Sequence, residues 1–91
     1  MKNRQILEAL ASDLKRVSLG IQRNSHKMAD RFAKEALARK NETDVSHLDP
    51  YMHKILKNLE ELIQTTNSQR KAEDTLMYST LIQNYVVVKL K

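Results

Sequence analysis

Residues 3–40 read NRQILEALASDLKRVSLGIQRNSHKMADRFAKEALARK, and the fold turns on how this stretch is wound. At about 100° per residue, Ile6, Leu7, Leu10, Leu14, Val17, Ile21, Met28 and Phe32 fall on one narrow stripe. Arg16, Arg23, Lys27, Arg31 and Lys34 form a second, cationic stripe on another face of the same helix. Gly20 costs about 1 kcal/mol relative to alanine inside a helix, and Asn24 and Ser25 are mediocre formers. The apolar phase is nevertheless the same on both sides of them. The spacing therefore predicts one helix over about 3–40, bent at most near Gly20, and roughly 55 Å long. Ser25, on the edge of the stripe, reads as a packing adaptation. Arg39 falls on the stripe and marks the end of the seam.

Composition supports an all-α reading. The 91 residues contain one Gly and one Pro, too few for the turns that a sheet requires. Residues 41–49 are polar and rich in capping types, and Asp49-Pro50 places an N-cap before a proline suited to the first helical position. Met52, Ile55, Leu56, Leu59, Leu62 and Ile63 then share a face, and Thr65–Ser68 reads as a short break. A hairpin of helices over about 50–65 and 69–89 follows, since short loops join antiparallel neighbours. Val86-Val87-Val88 is β-branched, but no second strand is available to pair with it, so helix is the expectation. Strict heptads do not persist, which excludes an extended coiled coil.

The expected architecture is a single all-α domain over 1–91, a three-helix bundle with the long first helix packed on the hairpin. The hairpin helices are shorter than the rod they must cover, and the last helix is apolar on several sides. Self-association as a homodimer is expected, with Leu76, Ile82, Val86, Val87 and Leu90 as the contact between copies. No cysteine is present and no stretch approaches the roughly 20 apolar residues of a membrane span. Acidic and basic residues interrupt any apolar signal region near the N-terminus. A cytoplasmic protein without membrane contact is the expectation.

Formal net charge is +5, concentrated in residues 1–40, where ten Lys and Arg face four Asp and Glu. The basic stripe fits an acidic protein partner. Nucleic acid is the alternative, because cations in a row can track phosphates, although Asp13 and Asp30 border the stripe and no base-stacking platform accompanies it. Catalytic chemistry finds little support. His26 and Asp30 are four apart and can meet on a helix, but the only other histidines, His47 and His53, are not required by spacing to join them. The serines lack a glycine-rich elbow. Glu60-Glu61 and Glu73-Asp74 are adjacent pairs that point apart on a helix, and Tyr78 and Tyr85 read as seam residues with wet hydroxyls. No catalytic, cofactor or metal residue is expected. The functional expectation is a non-enzymatic interaction or regulatory module.

Overall fold

Asn24 has φ 57°, and this one residue ends the first helix. In the computed structural model, which describes residues 3–90, the expected rod is two helices, α1 (Asn3–Gln22) and α2 (His26–Glu42). Asn24 is one of the few residue types that enters the left-handed region at modest cost. From there the Asn24 amide donates to the Ile21 carbonyl at 3.0 Å and the Ser25 amide donates to the Gly20 carbonyl at 2.8 Å. That pair of bonds is the Schellman ending of a helix. Ser25 then starts the next helix, its hydroxyl accepting from the Met28 amide at 3.3 Å. The Cα atoms of the described residues span only 36 Å in their longest dimension, too short for the predicted rod.

A short 3-10 turn at Val45–His47 leads to α3 (Pro50–Ile63), followed by α4 (Gln69–Lys89). The hairpin expected at 50–65 and 69–89 is thus present, as is the helical state of Val86–Val88. The bundle has four helices rather than three. Asp49 occupies the N-cap position of α3 with Pro50 behind it but makes no side-chain cap bond. Its amide instead donates to the Tyr85 hydroxyl at 3.1 Å, tying the start of α3 to α4. Ser68 caps α4 through the Lys71 amide.

Cross-helix contacts give the topology. Gly20 lies against Ala29, Arg16 against Phe32 and Asp13 near Arg39, so α1 and α2 run antiparallel. The Ser18 hydroxyl donates to the Ala72 carbonyl and the Ser79 hydroxyl donates to the Ala11 carbonyl, both at 2.7 Å, so α1 and α4 are also antiparallel. These buried hydroxyls satisfy themselves on the neighbouring backbone, which keeps the two helices in fixed register. The centre is filled by Leu7, Leu10, Leu14 and Val17 of α1, Met52, Leu56 and Leu59 of α3, and Ile82 and Val86 of α4.

Two further expectations are corrected. The buried face of α2 is Ala29, Ala33 and Ala36, while Met28 and Phe32 are only partly buried. Small residues face inward there because α1 approaches closely at Gly20. Of the residues expected to join two copies, Ile82 and Val86 are fully buried within the chain's own core and Leu90 is partly covered by it. Only Leu76 and Val87 face outward.

Candidate interaction surfaces

Two unlike surfaces remain on the outside of the bundle. The first is cationic and lies along α1 and α2. Arg16 and Arg31 are fifteen positions apart in sequence, yet both guanidinium groups lie over the Phe32 ring, at 5.4 and 5.3 Å from its centroid. Each guanidinium is attracted by the negative charge of the ring's π face. Lys27 and Met28 join Arg31 and Phe32 around a shallow hollow of about 240 Å³. Arg23 stands on the turn between the helices, exposed. Lys34 lines a different hollow, with Asp30, Leu37 and Ile63. The fold therefore gathers Arg16, Lys27 and Arg31 and leaves Arg23 and Lys34 at the margins.

Asp13 stands beneath this surface. Its carboxylate is buried and one oxygen, Oδ2, has no hydrogen-bond donor. Arg16 and Arg39 each approach it to 3.9 Å, beyond hydrogen-bonding distance. Burial raises the Asp13 carboxyl above its ordinary 3.8, Glu35 raises it further, and Arg39 and Arg16 pull it back. In the unfolded chain this proton leaves near 3.8, whereas the folded chain keeps it to higher pH. Stability therefore falls as pH rises from below 3.8 through the folded value and stays at the lower level to neutrality. Asp13→Asn is expected to abolish that step and to raise stability at pH 7 by about 1 kcal/mol. Urea midpoints of the two proteins at pH 7 and pH 3 measure it. A variant less stable at pH 7 shows that the two arginines outweigh burial.

The second surface is apolar and belongs to α4. Leu76, Met77, Val87 and Val88 are 41%, 48%, 57% and 65% exposed. Tyr51 of α3 stands beside the C-terminal end of this face, and a groove of about 510 Å³ runs between Tyr51, Leu81, Asn84, Tyr85, Val88 and Lys89. Single exposed apolar residues are ordinary on a soluble protein, but here two pairs share one outward face of α4, with Thr80 and Asn84 exposed between them and a tyrosine alongside.

The histidines do not converge. His26 Nδ1 and Asp30 Oδ1 each accept from the Asn67 amide at 3.1 Å, binding the start of α2 to the α3–α4 loop. His47 sits 3.9 Å from Asp44, and His53 is exposed on α3. Among the described residues no three His, Cys, Asp or Glu side chains are grouped to hold a metal ion. No described helix is long and apolar enough to cross a membrane. The residue that sequence reasoning missed altogether is Lys71. Its side chain is buried, with the ammonium donating to the Ile63 carbonyl, the Thr65 carbonyl and Asn67 Oδ1 at 2.9, 2.9 and 3.0 Å. A lysine at the third position of a helix reads as solvated, and only the neighbouring helix end reveals its partners. Compared with known proteins, the chain matches no family model, no curated protein and no solved structure.

Proposed function

We propose that this protein is a non-enzymatic, cytoplasmic interaction module that works as a homodimer and presents a cationic face to an acidic protein partner. The observation that carries the reading is the outward face of α4, where Leu76, Met77, Val87 and Val88 remain exposed after the chain has filled its own core. Covering such a patch is favourable by roughly 25 cal/mol for each Å² of apolar surface removed from water. A second copy of the chain is a partner always present at its own concentration.

The cationic face is separate from this patch, so dimerisation leaves it open. It suits carboxylate-rich protein surface better than nucleic acid, because its one aromatic ring, Phe32, is already engaged by Arg16 and Arg31 and no further aromatic among the described residues joins it as a stacking platform. Arg16 and Arg31 present forked donors that match carboxylates in pairs.

Light scattering tests the homodimer. A mass twice the 10.6 kDa of the chain is expected at micromolar concentration. The change Val87→Glu with Val88→Glu is expected to return it to the chain mass with helical circular dichroism unchanged. A single-chain mass at all concentrations overturns the homodimer. Duplex DNA binding that weakens steeply with salt and disappears in Arg16→Glu with Arg31→Glu would replace the acidic partner with nucleic acid.

A further inference from the structure

We infer that the two copies pair through α4 in antiparallel orientation, about a two-fold axis level with position 82, with Leu76 and Met77 of each copy against Val87 and Val88 of the other. The inference rests on the homodimer reading and specifies its geometry. It starts from spacing. Leu76 and Val87 are eleven residues apart, as are Met77 and Val88. Eleven residues are close to three helical turns, so both pairs share the outward face, separated by about 16 Å along the axis.

These two apolar pairs are equidistant from position 82. A two-fold axis crossing α4 there exchanges the end bearing Leu76 and Met77 with the end bearing Val87 and Val88. The patch is its own complement, the requirement for a closed dimer of identical chains. Thr80 and Asn84 lie between the pairs, are both exposed, and are likewise equidistant from position 82. The same axis sets each Thr80 hydroxyl across from the partner's Asn84 amide. A polar pair at the centre of an apolar seam fixes register at some cost in affinity.

Spacing alone permits a parallel pair as well, with each residue opposite its own copy. Charge separates the two. The N-terminal end of the outward side carries Glu73 and Asp74 with Arg70, which lies 3.9 Å from Asp74, and has a net charge of −1. Lys71, at the same end, is turned inward. At the C-terminal end Lys89 is exposed beside Tyr51 and Tyr85, about five full turns from Lys71 and so off the outward face. Parallel pairing sets the two net-negative N-terminal ends side by side, whereas antiparallel pairing holds them about 25 Å apart along the axis. The helix dipoles favour the same choice, because each positive end then lies beside a negative one.

The chain has no cysteine, so single cysteines report the geometry without background. Met77→Cys and Val87→Cys, both at exposed positions, are prepared separately, mixed to allow exchange, and oxidised mildly, with light scattering and circular dichroism recorded on each before oxidation. The expected result is a mixed disulfide between the two variants forming about tenfold or more faster than a disulfide within either variant alone. In the antiparallel dimer like positions stand roughly 15 Å apart along the axis, too far to bridge. Rapid disulfide formation within each variant alone, with none gained on mixing, means parallel chains and overturns the inference while the homodimer stands. A dimeric mass with neither pattern places the contact away from α4 and also overturns it. A single-chain mass for the unmodified protein removes the homodimer and the inference together.

Discussion

Replacing Gly20 with alanine is expected to destabilise the protein by about 1–3 kcal/mol, and replacing it with valine by more, as in any overpacked contact. A Cβ at this position would stand 2.8 Å from the Ala29 nitrogen, 3.1 Å from the Ala29 Cα and 3.2 Å from the Ser25 carbonyl oxygen. All three obstacles are backbone, so no rotamer change relieves the clash. Helices α1 and α2 must move apart, loosening the packing of Ala29 and Ala33 below. The sign is the informative part. In a solvated helix the same exchange stabilises by up to about 1 kcal/mol, because alanine is the better helix former. Urea denaturation followed by circular dichroism gives the difference directly. A neutral or stabilised Gly20→Ala would mean that the two helices are not in contact there and that the turn at Arg23–Ser25 is arranged differently.

The same turn shows where sequence reasoning stops. The step from Ile21 to Met28 is seven residues, the spacing of two helical turns, so a helix interrupted by three residues keeps the phase of an uninterrupted one. Asn24 and Ser25 look like two weak helix formers until they are read together as a left-handed C-terminal residue followed by an N-cap. The inward face of α2 was hidden for a related reason. Hydropathy weights Met28 and Phe32 over Ala29, Ala33 and Ala36, yet the proximity of α1 admits only the small residues. By contrast, α3 was legible because Asp49-Pro50 and Thr65–Ser68 are explicit punctuation and its apolar face is large-residued throughout. On α4, residues with side chains of similar size and hydropathy point both ways. Ile82 and Val86 are buried and Val87 and Val88 are exposed, a sidedness set by α1 and α3 rather than by α4 itself. The pairing of Arg16 with Arg31 around Phe32 depends on the chain folding back and has no signature in local spacing.

Lys71→Met is expected to cost about 2–4 kcal/mol, the loss of several hydrogen bonds from a buried cation whose acceptors stay behind. The Ile63 and Thr65 carbonyls lie at the C-terminal end of α3, where the helix has exhausted its own amide donors. Lys71 reaches across from the first turn of α4 and supplies the missing donors, placing a positive charge at the negative end of the α3 dipole. Burial pushes the Lys71 ammonium below its ordinary 10.5, while Asp30 holds it up. The Asn67 amide explains how the end of the bundle coheres: its oxygen accepts from Lys71 and its nitrogen donates to His26 and Asp30. One buried cation thereby joins the end of α3, the start of α4 and the start of α2. Methionine matches the length of the lysine stem, so the cavity contribution is small and the measured loss reports the polar groups left unpaired. Lys57→Met, at an exposed position on α3, is the control and is expected to stay within about 0.5 kcal/mol of the parent. If the two variants show equal urea midpoints, the Lys71 ammonium is solvated and the three helices are held together at this end by their apolar contacts alone.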